Sequence, residues 1–327
     1  MAENIYKVSE EEKGSRLDVF LTAKTAFNRS EVTKLIKKDL VLLNGRSPKK
    51  AGEFLKIGDE IKILKERAEK AEDFTGGIKI IKDTNDYIVI DKPSGLLVHQ
   101  TEHGEENTLV QWLLKKYPNM EGVGDPGSRT SGSLRGEESI RPGIVHRLDK
   151  EASGVMVVAK NQKMYEFLKK QFQERTIEKY YLVLVHGAPE TKHDRIDFEI
   201  SRGVDGKMAS RPKINNLKIK NVGKEQEGRE AVTEFWVEKE FARFSLLKVK
   251  IHTGRTHQIR VHMLAYNHPV VGDSLYFNKK LNRKKDEKLG RVFLHAKELC
   301  FLNLQNEKVC YNSDLPEKLA DFIKEIN

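Results

Sequence analysis

The spacing of apolar residues near the start of the chain predicts two helices within a small unit, residues 8–64. Residues 15–25 and 30–40 each repeat apolar side chains at the spacing of one helical face. These apolar positions are Leu17, Phe20 and Leu21 in the first helix and Val32, Leu35 and Ile36 in the second. We expect Ser30 to cap the second helix, whose solvent side then carries lysines.

Turn and breaker residues mark the rest of this unit and its end. Asn44-Gly45 follows a short apolar strand and predicts a tight turn before a basic loop. Residues 57–64 have the pattern of a closing strand. Residues 65–77 are charged and end in glycine without any apolar period, which predicts a linker.

The remaining chain, residues 78–327, is rich in strand patterns. Alternating or continuous apolar character marks residues 78–83, 86–93, 143–146, 154–160, 180–187, 231–240 and 244–251. The clearest helix is residues 161–175, where the buried stripe is Met164, Phe167, Leu168 and Phe172. Residues 122–141 and 277–290 are polar and predict mobile surface loops. The pattern therefore predicts an α+β protein, with a small αα-β domain followed by a domain built on a large mixed, mainly antiparallel β-sheet with flanking helices.

Composition narrows the class of protein. With 327 residues and 38% apolar residues, the chain has room for two domains with cores of their own. No stretch approaches the roughly 18 apolar residues of a membrane span, so we expect no membrane partner and a cytoplasmic protein. Cys300 and Cys310 are the only cysteines and lack zinc-site spacing. We therefore expect neither a structural zinc nor a disulfide framework.

Charge points toward a polyanionic partner without deciding it. Lys and Arg number 59 against 49 Asp and Glu, which gives a net charge of +10. A phosphate-binding surface would explain this excess, and so would a soluble basic protein without such a partner. In the first unit the candidate RNA-binding residues are Arg16, Arg29, Lys34, Lys37, Lys38 and Arg46. The alternative is that these side chains only solvate one face of an ordinary helix pair.

The order of features in residues 8–64 resembles that of a known module. SRLD, a basic second helix, VLLNG and GDEI follow one another as in the small S4-type RNA-binding domain. The resemblance implies that the paired helices and the turn after them lie on RNA.

The sharpest chemical feature is the segment RPGIVHRLDKEASGVMVVAK, residues 141–160. Two predicted strands flank a polar turn, and Gly154 allows an unusual backbone angle there. The polar residues of the turn are His146, Arg147, Asp149, Lys150 and Ser153. A carboxylate between core strands and beside cations is suited to act as a nucleophile, because positive charge favours its ionised form. Spacing alone leaves open that Asp149 is an ordinary turn residue.

Four ordered motifs resemble those of the RluA-type (large-subunit type) pseudouridine synthases. HRLDKEASG, residues 146–154, is similar to the HRLDxxTSG signature, with Ala152 in the place of the family's usual Thr. DKPSGLLVH (91–99), EKYYLVLVHG (178–187) and HTGRTHQIRVHMLAYNHPVVGDSLY (252–276) resemble the other three motifs. The resemblance covers residues 78–310 and implies an enzyme that needs no cofactor and no metal.

The resemblance also implies roles for individual residues. Asp149 is the catalytic nucleophile, Tyr181 stacks on the target uracil, and Arg260 pairs with the Asp149 carboxylate. Arg147 takes the space that the extracted nucleotide vacates. The neighbouring residues Leu148 and His146 complete the predicted substrate-binding set.

Two local features, the tyrosine pair and the basic motif near Arg260, have alternative interpretations. Tyr180 and Tyr181 lie on opposite faces of one strand, so one of them is expected to be an ordinary packed aromatic. In residues 254–262 we expect Thr256 to cap a short helix and Arg260 to share a face with His257. The basic residues of this motif could also line a simple anion-binding surface.

The predicted reaction is the isomerisation of uridine to pseudouridine in structured RNA, with large-subunit ribosomal RNA as the expected partner. We expect the enzyme to act as a monomer. The alternatives are a tRNA-directed synthase and a non-catalytic ribosome-assembly factor that keeps the fold. A hydrolase is disfavoured because no Ser or Cys stands in a nucleophile elbow. Asp149 could add to carbon six of the ring or attack the anomeric carbon, and the sequence does not separate these.

Overall fold

The structure, a computed structural model, describes residues 4–25, 27, 29–37, 40–64, 77–100, 107–125, 142–203, 206–211, 228–278, 281 and 284–327. Its internal contacts divide the chain into two units, Met1–Glu72 and Asp73–Asn327. The predicted linker, residues 65–77, lies outside the described residues apart from Gly77. No helix within the described ranges has the length and apolar character needed to cross a bilayer.

The first unit packs two helices and a small antiparallel sheet around one core. Its described elements are β1 (Asn4–Lys7), α1 (Leu17–Lys24), α2 (Arg29–Lys37), β2 (Val41–Leu43) and β3 (Glu60–Ile63). β3 lies between β1 and β2 and is antiparallel to both. Leu17 and Leu21 of α1 are buried with Val32 and Ile36 of α2, so the two predicted apolar faces form this core.

Two details of this unit test the local predictions. The predicted tight turn is confirmed, since Asn44 and Gly45 both have positive φ, 51° and 77°, as a two-residue turn of this type requires. The prediction for Ser30 is wrong, because α2 begins at Arg29 and Ser30 lies in its first turn. The carboxylate of Asp18 in α1 accepts a hydrogen bond from the Arg29 guanidinium and so ties the start of α2 to α1.

The second unit is built on one large sheet. Its elements, in chain order, are β4 (Lys79–Asp83), β5 (Tyr87–Lys92), α3 (Leu109–Lys116), β6 (Ser153–Ala159), α4 (Gln162–Gln173), β7 (Glu178–His186), β8 (His193–Ile196), β9 (Glu199–Arg202), β10 (Met208–Arg211), β11 (Thr233–Glu240), β12 (Phe244–Ile251), α5 (Gln258–Ala265), α6 (Lys284–Leu289), β13 (Leu294–Leu302), β14 (Lys308–Asn312) and α7 (Glu317–Ile326). The strand order is β4-β5-β6-β13-β7-β12-β11-β8, and β14 pairs with β13. Only the pair β6 and β13 is parallel among the described strands of this sheet. β9 and β10 form a separate antiparallel pair.

Both faces of the sheet are covered, which explains the continuous apolar run of β6. Met156 and Val158 face one core with residues of α3 and α5, whereas Val155 and Val157 face a second core with α4. A strand that is buried on both faces has no polar side, so its sequence does not alternate. Helices on both faces of a mainly antiparallel mixed sheet, after a small αα-β unit, confirm the predicted fold class.

Gly154 allows β6 and β13 to approach each other. Its φ is 118°, and a Cβ at this position would lie 2.2 Å from the carbonyl oxygen of Ala296 in β13. An L side chain at this position would meet both the backbone strain and the clash. The predicted unusual backbone angle is therefore confirmed, and it lets the turn before β6 sit close to the centre of the sheet.

Two segments differ from their predictions. Residues 143–146 are not a strand: Ile144 forms a single bridge with Val158. Residues 284–289 of the predicted mobile loop 277–290 form α6, which buries Asp286 and Leu289. Most of the other predicted loop, residues 126–141, lies outside the described residues.

The prediction for the two cysteines is also wrong. Cys300 and Cys310 form a disulfide, with their Cα atoms 4.1 Å apart. β13 and β14 are antiparallel and place the two residues directly opposite each other. A spacing of ten residues matches no zinc site, but in a β-hairpin it places the two cysteines opposite each other.

Candidate active site

The turn before β6 carries Asp149 and is held by the end of β5 and the loop after it. Lys92, the last residue of β5, is fully buried. Its Nζ donates hydrogen bonds to the carbonyl oxygens of Lys150, Pro93 and Leu96 at 2.8–3.2 Å. The hydroxyl of Ser94 donates to the carbonyl oxygen of Glu151 at 2.6 Å. Burial lowers the pKa of Lys92 to about 7. These bonds fix the backbone of the turn, so the position of Asp149 is set by two separate sequence motifs.

Arg260 in α5 faces the Asp149 carboxylate. Its Nη1 lies 3.3 Å from Oδ2 of Asp149, and its Nη2 lies 3.3 Å from Oε2 of Glu151. The Arg260 side chain is only 2% exposed, against 18% for Asp149. A buried cation therefore meets a carboxylate that still reaches the solvent-filled cleft.

Asp273 holds this arginine in place. Its two carboxylate oxygens accept from Nε and Nη2 of Arg260 at 2.6 and 2.8 Å, the forked geometry that suits a guanidinium. Burial opposes the charge on Arg260, but the hydrogen bonds to Asp273 and the negative charges of Asp273, Asp149 and Glu151 together outweigh it and raise the arginine pKa. Asp273 also accepts from the backbone N–H groups of Leu275 and Tyr276. The orientation of Arg260 is thus fixed before any substrate arrives.

Gln258 organises the loop that leads into α5. Its Oε1 accepts from the hydroxyl of Thr253 and from the backbone N–H of Arg255, and its Nε2 donates to the carbonyl oxygen of Val232. The N-cap position of α5 is His257, with a left-handed φ of 55°. The prediction that Thr256 caps this helix is therefore wrong, because the loop is closed by the Gln258 side chain instead.

An open cleft lies against Asp149 and Arg260. Its lining is Arg147, Leu148, Asp149, Ala152, Tyr181, Ile251, Gly254, Arg255, Thr256, His257, Gln258, Ile259, Arg260 and Leu294. Tyr181 is 7% exposed and faces this cleft from β7. Burial, and then the Asp149 charge, raise the pKa of its hydroxyl. Tyr180 points to the other face, with the Nζ of Lys248 4.6 Å from its ring centre.

The structure brings together all but one of the predicted site residues in this second unit. Arg147, Leu148, Asp149, Tyr181 and Arg260 all line the cleft. His146 does not, because its ring stacks on Phe172 at 4.8 Å and its Nε2 accepts from the backbone N–H of Val157. Burial lowers the pKa of His146 to about 3. This histidine supports the turn from the α4 side and does not line the cleft.

The predicted RNA-binding arginines of the first unit are half-exposed and paired with acids. Arg16 and Arg29 both donate to Asp18, at 3.0 and 2.9 Å. Arg46 pairs with Glu53. The side chains of Lys34 and Lys37 lie outside the described part of the chain, as does the whole of Lys38. RNA contacts by all six residues stay predictions.

Comparison with protein families decides the family. The profile described as RNA pseudouridylate synthase matches residues 86–265, which contain Asp149, Tyr181 and Arg260. The chain belongs to the RNA pseudouridylate synthase family. A second profile, the S4 domain, matches residues 15–61 of the first unit. The protein is thus an RNA-directed isomerase with an N-terminal S4 domain.

Curated relatives agree with this assignment, and a solved structure shares the fold. An uncharacterized RNA pseudouridine synthase of Aquifex aeolicus is 40% identical over 288 residues, 86% of this chain and 82% of that protein. Another, from Bacillus subtilis, is 31% identical over 97% of this chain and 96% of its own. Human RNA pseudouridylate synthase domain containing 4 has the same fold, with a TM-score of 0.59 at 24% identity over 79% of this chain and 95% of that one.

Sequence reasoning missed several residues that build the site. Lys92, Asp273, Gln258 and Tyr276 received no role, and His257 only a place on a possible anion-binding surface, although all five stand inside the motifs that resemble those of the family. For Lys92 the available signal was a charge at the end of the apolar run 87–92, whereas the other four stand outside such runs and gave no such signal. A buried polar group of this kind needs partners, so Lys92 marks a hydrogen-bond network even before its partners are known.

Proposed function

We propose that this synthase isomerises specific uridines of large-subunit ribosomal RNA, with Asp149 as its nucleophile. The observation that carries the proposal is the position of the Asp149 carboxylate. It reaches into the cleft, a fixed cation lies 3.3 Å from it, and the aromatic ring of Tyr181 in β7 lines the same cleft. A nucleophile, a platform for the base and a rigid counter-ion are the groups that the reaction requires.

The chemistry follows from this arrangement. Isomerisation breaks the bond between N1 of uracil and the ribose and forms a bond from carbon five to the same ribose carbon. Carbon five releases its proton and N1 takes one up, so the composition does not change. Asp149 forms a transient bond to carbon six or to the anomeric carbon, and the base turns while Tyr181 stacks on it. Stacking of a base on an aromatic ring contributes roughly 1–3 kcal/mol.

The target nucleotide must leave its stack to enter the cleft. Flipping costs a few kcal/mol, which contacts to the phosphate backbone offset. Arg147 is exposed at the cleft and is the group that we expect to fill the space left in the RNA. The S4 domain adds a second RNA-binding unit, which favours a large structured RNA over a short stem.

The nucleophile is tested with Asp149→Asn, which keeps the size of the side chain and removes its charge. We expect undetectable tritium release from RNA labelled at carbon five of uridine, with RNA affinity near that of the wild type. The matched control is Asp314→Asn, a fully exposed aspartate in the same unit, which should keep full activity. Substantial turnover by the Asp149→Asn protein would contradict the assignment.

The RNA target is tested in cells. Pseudouridines are mapped in all RNA from cells that lack the protein, and from the same cells supplied with wild-type protein or Asp149→Asn. We expect one or more large-subunit positions to be lost and to return only with the wild type. Loss confined to tRNA would replace the proposed substrate and leave the nucleophile untouched.

A further inference from the structure

A histidine to which the proposed reaction gives no role lies beside Asp149. His257 precedes α5 and lines the cleft. Its Nε2 lies 3.9 Å from Oδ1 of Asp149, whereas Arg260 contacts the other oxygen, Oδ2. A hydrogen bond requires a separation of about 3 Å, so a ring movement of about 1 Å would close the contact. Catalytic hydrogen bonds are commonly long before substrate binds and tighten afterwards.

The second ring nitrogen of His257 is fixed by Tyr276. Nδ1 lies 2.7 Å from the tyrosine hydroxyl, and that oxygen accepts from the backbone N–H of Met208 at 3.2 Å. Tyr276 is buried, and among the described residues His257 is the acceptor-capable group to which its hydroxyl is hydrogen-bonded. A buried hydroxyl donates its hydrogen where it can, so Nδ1 is the acceptor. A neutral imidazole whose Nδ1 accepts carries its proton on Nε2, and this proton faces Asp149.

The surroundings favour this neutral tautomer. Burial lowers the pKa of His257; the charge of Asp149 opposes the shift, Arg260 reinforces it, and Asp273 and Arg147 add weaker effects of opposite sign. Burial also raises the pKa of the Tyr276 hydroxyl, so the hydroxyl keeps the hydrogen that it donates. The pair therefore presents an N–H group toward Asp149 without adding a charge to the cleft.

We propose that His257 is a positioning residue, whose Nε2–H donates to Oδ1 of Asp149 when substrate closes the cleft while Arg260 holds Oδ2. Donors on both oxygens fix the plane of the carboxylate, so its attacking lone pair stays directed at the nucleotide stacked on Tyr181. Tyr276 acts one step further away by setting the tautomer. The inference rests on the proposed role of Asp149 as the nucleophile.

The left-handed backbone of His257 makes a matched pair of variants informative. Asn tolerates φ near 55° and the N-cap position better than Gln does, so a purely structural role predicts that His257→Asn is the milder change. The amide nitrogen of Asn takes the place of Nδ1 and does not reach Asp149. The amide nitrogen of Gln takes the place of Nε2 and does reach it. A positioning role therefore predicts the opposite order for the rate of reaction.

The experiment measures single-turnover rates and RNA affinity on a transcript that the wild-type protein modifies, together with the thermal stability of each variant. We expect His257→Asn to react about ten- to a hundredfold more slowly at saturating protein, the loss typical of a missing hydrogen bond to a charged group. His257→Gln should stay within about threefold of the wild type. RNA affinity should be unchanged in both, and His257→Asn should be at least as stable as His257→Gln.

A double-mutant cycle checks the tautomer. Tyr276→Phe removes the hydroxyl, so it should slow the wild type about two- to fivefold and leave His257→Gln unaffected, because an amide has no tautomers. An equal effect in both backgrounds would overturn the role of Tyr276. Equal rates for the Asn and Gln variants, a faster Asn variant, or a loss confined to RNA affinity would overturn the role of His257. A wild-type protein that modifies no RNA would overturn the proposed function as well.

Discussion

Two buried aspartates, one in each unit, pair with arginines in different surroundings. Asp18 is 3% exposed and accepts from Arg16 and Arg29, whose side chains are 45% and 59% exposed. Asp273 is fully buried, and so is its partner Arg260, at 2% exposure. The acid is equally hidden in both cases, but only in the second pair is the cation hidden too.

This difference separates two uses of an arginine. Arg16 and Arg29 keep one side in water, so each could contact an RNA phosphate while it still pairs with Asp18. Arg260 is almost fully buried, so its orientation is determined by its protein partners. A group that must meet an incoming polyanion benefits from the first arrangement, and a group that must hold a nucleophile within a fraction of an ångström benefits from the second.

Removing each acid tests this comparison and should give the largest effect. Asp273→Asn leaves Arg260 with a buried, poorly compensated charge, so we expect a loss of about 3–5 kcal/mol in the free energy of unfolding and a fall in turnover of more than tenfold. Asp18→Asn should cost clearly less and leave turnover on saturating RNA unchanged, because its partners turn to water. Hydrogen exchange resolved along the chain measures the stability of each unit separately.

The contribution of Asp18 to the free energy of unfolding should depend on pH. Hydrogen bonds from Arg16 lower the pKa of Asp18, against the opposing effect of burial and with a smaller contribution from Arg29. A carboxyl group whose pKa is lowered in the folded state stabilises the fold at pH values above its unfolded pKa, about 3.9 for Asp. This stability is lost as the pH falls through the folded pKa. The wild type and Asp18→Asn should therefore differ at neutral pH and converge below about pH 4. Equal stability at pH 7 would contradict the ion pair.

The fold was predictable where burial leaves a mark on the sequence. The apolar faces of α1 and α2, and the continuous runs of β6 and β7, follow directly from which sides are covered. Residues 143–146 carry a similar short apolar run, but the structure uses it as a loop that bridges β6 at one residue. A run of four residues does not distinguish a strand from a loop, because an apolar pattern indicates burial and not hydrogen bonding to a neighbouring strand.

The site was predictable only as far as the motifs extend. Asp149, Tyr181 and Arg260 came from the resemblance, while their supports did not. Arg260 and Asp273 are separated by 13 positions in sequence, and nothing in that spacing indicates a fork of hydrogen bonds. His146 sits three residues before Asp149 and was expected beside it, yet its ring packs on the α4 side. Side-chain direction in an irregular turn depends on packing that a linear pattern does not contain.

Substitutions of the two tyrosines of β7 should give effects of intermediate size on catalysis. If Tyr181 stacks on uracil, Tyr181→Phe keeps the aromatic face and Tyr181→Leu loses it. Stacking contributes roughly 1–3 kcal/mol, so the Leu variant should be about ten- to a hundredfold lower in kcat/KM than the Phe variant. Tyr180→Leu is the matched control on the opposite face, and it should change kcat/KM little.

Two results would change the interpretation of Tyr181. A large loss in Tyr181→Phe itself would assign the hydroxyl to proton transfer. Loss of activity in Tyr180→Leu but not in Tyr181→Leu would mean that the opposite face of β7 meets the RNA.

The smallest effect is expected for the half-exposed arginines, where it should appear in salt dependence and not in turnover. If the exposed side of Arg29 contacts a phosphate, Arg29→Gln removes about one ionic contact and lowers the slope of log affinity against log salt by about 0.7–0.9. The matched control is Lys324→Gln, which removes one exposed positive charge that is likewise paired with an acid, Asp321 of α7. An equal change in slope for both variants would indicate that only the net charge of the protein matters. A change for Arg29 alone would place an RNA phosphate at the start of α2, because a local contact responds to the loss of one cation in a way that the long-range field does not.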